Sequence, residues 1–367
     1  MKKTLFTLLS LGALQAQPPT LKTSADFFLV REQQREKLDT TYLYPSSYWT
    51  SIDSTVFVVS NLAKTDKGKF WFINAERTDS LVWQYKPQTI HFAIETAEGK
   101  LNMLMQFQAD DAIKVHYGKT KENIPFAWAK ENDPYLLDLR AQYPLDSLVS
   151  GSTDDFQKAL KLLTWVTSLW KHDGMNEPKE AHAKYILAQV AQGERFRCVE
   201  YGTVLHAVLT AVGLPARQIG LKRKDTDKIS MGAGHVATEV YLPSLKKWVF
   251  LDPQFGTYLS YQGKLLSAAE AAEQFTKNAK DIAVGGNLSS EDQQNYKTWI
   301  RPYLYYLDFS VDFSPRNGKD QNRQKFGEFS QVMLMPLGAK PLRVFQRKYP
   351  IKNMYYTHNL SAVYPQL

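Results

Sequence analysis

The 367-residue chain has a single cysteine, Cys198. An intrachain disulfide is therefore excluded, and whatever the thiol does it does alone. Beyond the first sixteen residues, no run reaches the roughly 18 apolar residues that a bilayer span needs. Charge of one sign is also scarce: 45 Lys and Arg face 37 Asp and Glu, a net +8 spread along the chain, which points to a solvated basic surface and away from a nucleic-acid partner. There is no internal repeat and no low-complexity segment, so solenoid, collagen-like and coiled-coil architectures are ruled out. What the chain does have is 44% hydrophobic and 13% aromatic residues, the composition of a folded protein. At roughly 150 residues per domain, that length suggests two or three domains.

Lys2 and Lys3 precede an uncharged run, Thr4 to Ala16, too short for a membrane helix and followed by Gln17, Pro18 and Pro19. This pattern predicts a signal peptide over residues 1–16 and a secreted or periplasmic protein with no membrane span after its removal. Residues 23–148 then read as a β-rich domain. Alternating aromatic segments (Ser54 to Ser60, Lys69 to Ala75, Thr89 to Thr96) are separated by turns at Lys67-Gly68 and Glu98-Gly99.

The character changes at Ser150 to Asp155, where Ser, Thr and Asp open a helix carrying Phe156, Leu160, Leu163, Val166 and Trp170 on one stripe, with Gly174 as its end. A second helix is predicted from Pro178 to Gly193. A third follows Cys198, with Val204, Leu205, Val208, Leu209 and Val212 at helical spacing until Gly213-Leu214-Pro215 stops it. Cys198, Leu205 and Val212 are seven apart and share a stripe. The thiol thus sits at a helix start, where the helix dipole and nearby Arg195 and Arg197 favour the thiolate.

Downstream, His235 to Leu242 and Lys247 to Asp252 form a predicted hairpin. With a four-residue connection Leu242 faces Lys247 and Ala237 faces Asp252, so Asp252 and His235 become diagonal neighbours on one face. A one-residue slip would separate them. In this arrangement a carboxylate can orient an imidazole, and the imidazole can take a thiol proton.

The stretch Gly193 to Gly256, with its LPAR turn after the cysteine helix, HxxxEVY and KWVFLDP, resembles the core of the transglutaminase-like superfamily. The resemblance implies an α+β, cysteine-proteinase-like core over residues 150–275, in which a nucleophile helix packs on an antiparallel sheet. It also implies a papain-type triad of Cys198, His235 and Asp252, acting on amide bonds through a thioester. Many members have an aromatic residue two after the histidine; here Ala237 stands there, which changes a wall of the pocket. Peptide, protein or glycopeptide substrates follow, with either hydrolysis (peptidase or amidase) or transamidation as the outcome. The alternative is a non-catalytic peptide- or glycan-binding protein on a degenerate fold.

Backbone N–H of Cys198 is a natural oxyanion donor, and Gln192, six residues before the nucleophile as in papain-like peptidases, is a candidate for the second. No cofactor and no metal are expected: His235 and Glu239 lie too far apart on a strand to share one ion. Gly232-Ala233-Gly234 lacks the third glycine of a dinucleotide fingerprint and reads as a flexible approach to His235. His206 reads as packing, and Lys222, Arg223 and Lys224 as a charged strand end. A capping box at Ser267 and Glu270 opens a helix through Phe275. Residues 276–367 hold strands and aromatic loops that could complete the core.

Overall fold

The computed structural model describes residues 20–22, 27–31, 48–51, 56–62, 68–73, 78–83, 88–96, 99–109, 115–130, 132–227, 232–316 and 323–367. The expected signal peptide, residues 1–16, lies outside the described residues. Among the described residues the N-terminal part holds eight strands: β1 (Thr20–Lys22), β2 (Phe27–Arg31), β3 (Tyr48–Ser51), β4 (Val56–Leu62), β5 (Gly68–Ile73), β6 (Thr78–Trp83), β7 (Gln88–Thr96) and β8 (Gly99–Ala109). They pair as two four-stranded sheets, β1-β7-β8-β4 and β3-β2-β5-β6. No described strand of this region extends past Ala109. Val115, Tyr117 and Ile124 already belong to the core of the second part.

Five helices come next: α1 (Pro134–Gln142), α2 (Leu145–Val149), α3 (Asp155–Ser168), α4 (Ala183–Val190) and α5 (Cys198–Ala211). Asp154 caps α3 by accepting from the Gln157 N–H at 2.8 Å. The helix stops at Ser168, short of the predicted Gly174, because Trp170 turns inward to stack on Tyr201 at 4.0 Å and its indole N–H donates to the Phe196 carbonyl at 3.3 Å. Likewise α4 begins five residues after Pro178. His182 caps it, its Nδ1 accepting from the Tyr185 N–H at 3.3 Å, while the preceding segment is tied to residues 194–197. Apolar faces of these helices, including Leu162, Leu163, Val166, Ile186, Val204 and Val208, form one buried core against the sheet.

The sheet is built from β9 (Ala216–Lys222), β10 (Gly234–Leu242), β11 (Lys247–Asp252), β12 (Thr257–Tyr261) and β13 (Lys264–Leu265), followed by α6 (Ala268–Asn278), β14 (Ile282–Gly286), α7 (Ser290–Ile300), β15 (Tyr306–Ser310), β16 (Gln331–Leu334), a small hairpin β17 (Val344–Phe345) and β18 (Tyr349–Pro350), β19 (Met354–Thr357) and α8 (Leu360–Val363). Strand order is β13-β12-β11-β10-β9-β15-β16-β19, with β14 paired to β12. The C-terminal segment thus completes the sheet: β15 pairs β9 in the middle, and β16 pairs β19 in parallel at the far edge. Its second face carries another core, to which α6, α7 and the C-terminal aromatics contribute. The Ser267 and Glu270 capping box is present, the Ser267 N–H donating to Glu270 at 2.8 Å.

Between the sheet and its second core lies a fully buried ion pair. Arg217 on β9 and Glu239 on β10 are register partners, and the guanidinium donates from Nε at 3.0 Å and Nη2 at 2.7 Å to Glu239 Oε2. The other carboxylate oxygen accepts from the Ala268 N–H at 2.8 Å and the Tyr364 hydroxyl at 3.0 Å. Glu239→Gln would leave the Arg217 charge buried without its partner and should cost about 3–5 kcal/mol of stability, measured by urea unfolding. Replacing both residues by apolar ones, Arg217→Met with Glu239→Leu, should cost less than the single change, because no charge is then stranded.

Candidate functional site

The hairpin fixes the first two side chains. β10 and β11 pair with Leu242 opposite Lys247 and Thr238 opposite Leu251, and the chain turns through Pro243 to Lys246, with Lys246 in the left-handed region at φ 48°. On this register His235 and Asp252 meet: imidazole Nε2 donates to Asp252 Oδ2 at 2.8 Å, both groups being buried. Asp252 Oδ1 accepts from the Gln254 N–H at 3.1 Å, so the turn after β11 holds the carboxylate from behind. That turn is pinned in turn by the Thr167 hydroxyl of α3, which donates to the Pro253 carbonyl at 2.8 Å.

Cys198 is the first residue of α5, half-buried, with Glu200 accepting from the Arg197 N–H at 3.1 Å to cap the turn. The helix comes close to β10 because residue 202, one turn on, is glycine. A Cβ there would meet Val236 Cγ1 at 3.0 Å, Gln218 Nε2 at 3.1 Å and the Ala237 carbonyl at 3.3 Å. This sets the thiol beside the imidazoles of His172 and His235, both of which act to lower its pKa. As His235 Nε2 is engaged by Asp252, its Nδ1 is the nitrogen left for sulfur.

Electrostatics at the site are a contest between burial and hydrogen bonding. Burial pushes the Cys198 thiol up, but the bonds from His172 and His235 outweigh it and bring the pKa down to about 6. Burial pulls the His235 imidazolium down, yet the adjacent Asp252 carboxylate outweighs it and raises the pKa to about 10. Between those values thiolate and imidazolium coexist as one titrating unit. Arg195 and Arg197 are not what favours the thiolate, contrary to the sequence-based expectation. Arg197 is held by Glu200 at 2.8 Å and Glu177 at 2.9 Å, and Arg195 lies 3.9 Å from Asp173.

Two parts of the site were not foreseen from the sequence. Tyr296 of α7 donates its hydroxyl to Asp252 Oδ2 at 2.8 Å. Around the imidazole stand Trp299, edge-on at 4.8 Å between ring centres, Phe255 at 6.0 Å and Tyr303 at 6.3 Å. Phe255 lies in the turn just after Asp252, while Tyr296, Trp299 and Tyr303 come from a region without clear periodicity, more than forty residues beyond Asp252, whose density of aromatic residues was the only signal. His172 lies in a turn that the helical reading ran through. Gln192 is exposed in the turn closing α4, its N–H donating to the Gln189 carbonyl at 2.9 Å, and among the described contacts its side chain makes none with Cys198. His206 packs on the same helix away from the thiol, with a pKa pulled down to about 4 by burial. Lys222 pairs with Asp308, and Arg223 with Asp225 at 3.0 Å, so those cations serve the strand end. Among the described residues no group of three or more His, Cys, Asp or Glu could hold a metal ion.

A cysteine at a helix start facing a strand-borne histidine and aspartate, on a mixed sheet with helices, is the arrangement of a cysteine-proteinase-like fold. Residues 145–253 match the transglutaminase-like superfamily, so the chain carries a transglutaminase-like domain. Among solved structures, similarity is found to a candidate cysteine protease from Cytophaga hutchinsonii (12% identity, TM-score 0.28, covering 56% of this chain and 72% of that one). It also extends to Legionella pneumophila LapG treated with EGTA (12%, 0.25, 46% and 95%) and to red sea bream transglutaminase (9%, 0.29, 78% and 55%). No curated protein matches the sequence. No helix among the described residues is long and apolar enough to cross a membrane.

The site predicts a reactive thiol. The rate of Cys198 alkylation by iodoacetamide should rise with pH through an inflection near 6. In His235→Ala the inflection should move upward, toward the value of about 8.5 for a free cysteine. An unchanged inflection in the variant would show that the imidazole does not act on the sulfur.

Proposed function

We propose that the protein is a thiol-dependent acyl-transfer enzyme that opens amide bonds in peptide, protein or glycopeptide substrates through a thioester on Cys198. The observation that carries this reading is the 2.8 Å bond between buried His235 and Asp252 beside a helix-start thiol whose pKa is brought down to about 6. Nucleophile, base and orienter are then in the relation that covalent acyl transfer requires. The Cys198 thiolate attacks the carbonyl carbon, and the imidazolium of His235 gives its proton to the departing amine. Asp252, held by Tyr296 and the Gln254 N–H, keeps Nε2–H pointed at itself so that Nδ1 serves sulfur and leaving group. Water or a second amine then takes the acyl group, giving hydrolysis in the first case and transamidation in the second.

Export to a secreted or periplasmic location is part of the same proposal, supported by Lys2, Lys3 and the apolar run to Ala16. N-terminal sequencing of the protein recovered outside the cytoplasm should read from near Gln17.

Incubation with a diverse peptide mixture, with and without a primary amine, should give new C-termini or amine adducts by mass spectrometry. Cys198→Ala should give neither. Products formed equally well by that variant would remove the thioester. Asp252→Asn should keep the fold and lower kcat by up to about 10⁴-fold, by analogy with loss of the orienting aspartate in serine proteases. The sign of the pH dependence follows from the two shifts. A lowered thiol pKa makes the thiolate available above about 6, and a raised imidazole pKa keeps the leaving-group acid protonated below about 10, so kcat/KM should be bell-shaped between those limits.

A further inference from the structure

We propose that Gln346, in the loop of the β17–β18 hairpin, is a positioning residue for the proposed reaction, holding the end of β10 that carries His235. The inference rests on His235 being the base that serves Cys198.

The end of β10 that bears His235 has a neighbouring strand on one side only. Toward β9 it is paired throughout, Gly234 with Lys222, His235 with Leu221, Val236 with Gly220 and Ala237 with Ile219. Toward β11 the first pair is Thr238 with Leu251, so His235 lies three residues beyond the last rung on that side. Its approach, Gly232-Ala233-Gly234, brings two glycines, and Gly232 is in the left-handed region at φ 68°. Apart from the His235–Asp252 bond itself, a strand end so placed can twist about its single neighbour unless something else holds it. The consequence for chemistry is large: a displacement of about 1 Å at a reacting group can cost about 10²-fold in rate.

The C-terminal hairpin supplies that hold. Phe345 pairs with Tyr349, which leaves Gln346 to Lys348 as the loop. From it the Gln346 N–H donates to the Thr226 carbonyl at 3.1 Å, and the side-chain Oε1 of Gln346 accepts from the Ala233 N–H at 3.1 Å. Because that donor is a backbone N–H, the amide presents its oxygen and not its nitrogen. Thr226 closes the ring, its hydroxyl donating to the Ala233 carbonyl at 3.0 Å. Ala233 is fully buried, so its backbone groups need partners from the protein, and these residues provide them. On either side of Ala233 the same part of the chain makes contact. The Tyr303 hydroxyl donates to the Gly232 carbonyl at 2.8 Å, and the Phe345 ring lies so near Gly234 that an added Cβ would meet it at 3.0 Å. All three residues before His235 are thus held by side chains C-terminal to residues 145–253, the matched segment.

The hold is kept against backbone preference. Gln346 has φ 49° and Arg347 φ 66°, left-handed values that favour glycine. If the loop had only to turn, glycine would serve better at residue 346. Strain of this kind persists where the surroundings fix it and collects at functional sites, and here the strained residue is the one whose side chain reaches Ala233.

Substitution by glycine separates turning from holding, since it relieves the loop while removing the acceptor. Alkylation of Cys198 by iodoacetamide is measured against pH on the full chain, with thermal melting alongside. In Gln346→Gly the inflection should move upward from about 6, in the direction of His235→Ala, and the rate at about pH 5 should fall about tenfold. Gln346→Met, which keeps the bulk without the acceptor, should behave in the same way and serves if glycine loosens the hairpin. Gln346→Glu has the same reach and keeps an oxygen for the Ala233 N–H, so its rate at that pH should stay within about threefold of the unaltered protein. A merely structural role would lower the melting temperature and leave the alkylation profile in place. A Gln346→Gly profile that superimposes on that of the unaltered protein, whatever its melting temperature, therefore overturns the proposal. An equal shift in Gln346→Gly and Gln346→Glu does so too, because the acceptor would not be its cause. If His235→Ala leaves the inflection where it is, the reading of His235 as the base fails. A shift in His235→Ala with none in Gln346→Gly overturns the role of Gln346 alone.

Discussion

The ion pair between Arg217 and Glu239 is the constraint on which the site's geometry hangs. Both side chains are fully buried, and the guanidinium lies 4.2 Å from the ring centre of Trp248 and 4.2 Å from that of Phe309. A charge in such surroundings is tolerated only with its partner in place, so the register of β9 on β10 has one acceptable value. Because His235 is four residues before Glu239 on the same face of β10, that register also sets where the imidazole stands. Glu239 takes its remaining bonds from the start of α6 and from Tyr364, and Arg217 donates to the Val363 carbonyl, which anchors the C-terminal end of the chain to the histidine strand. Trp248 completes the anchor, its indole N–H donating to the Pro365 carbonyl at 2.9 Å.

At the site the same physics operates with the opposite purpose. Burial opposes charge on both Cys198 and His235, and in each case a specific partner outweighs burial. The aromatic wall of Trp299, Phe255 and Tyr303 lowers the local dielectric around His235, which strengthens its attraction to Asp252 as much as it penalises an isolated charge. Asp252 bears this because three donors, His235, Tyr296 and the Gln254 N–H, share its two oxygens. The thiol differs in being half-buried: in the proposed reaction sulfur meets an incoming carbonyl, and what favours its thiolate is the two imidazoles beside it and not enclosure.

Local signals made much of this legible in the sequence. The stop at Gly213-Leu214-Pro215, the spacing from Cys198 to Val212 and the four-residue connection between β10 and β11 each constrain backbone over a few residues, and the helix and register follow from them. The ends of α3 and α4 did not follow, because both are decided by contacts made across sequence: Trp170 leaves helical geometry to reach Tyr201 and Phe196, and Pro178 lies in a segment bonded to residues 194–197. α1 and α2 pack on α3 and α5 through the buried faces of Leu136, Leu139 and Leu145. His172, Tyr296 and Trp299 carried no spacing that could mark them, since they meet the site only after the sheet has closed.

The matched transglutaminase-like segment, residues 145–253, contains Cys198, His235, Asp252 and His172 but none of the residues that enclose the imidazole. Phe255, Tyr296, Trp299 and Tyr303 all lie C-terminal to it, on the turn after β11 and on and just beyond α7. The chemistry proposed for the thiol is therefore set within one stretch of chain, and the aromatic surface beside it is set by another. α7 is placed by its own contacts: Tyr296 and Ile300 are fully buried in the second core, and Lys297 Nζ donates to the Ile282 carbonyl at 3.0 Å. With that face fixed, Trp299, one residue before Ile300, is left half-buried over His235 with part of its ring open to solvent. Under the proposed acyl-transfer reading, substitution there would change the surface beside the thiol without touching the hydrogen bonds that orient Asp252. The residue that would shape the surface beside the thiol and the residue that holds the Asp252 carboxylate are thus neighbours on one helix, three residues apart at Trp299 and Tyr296.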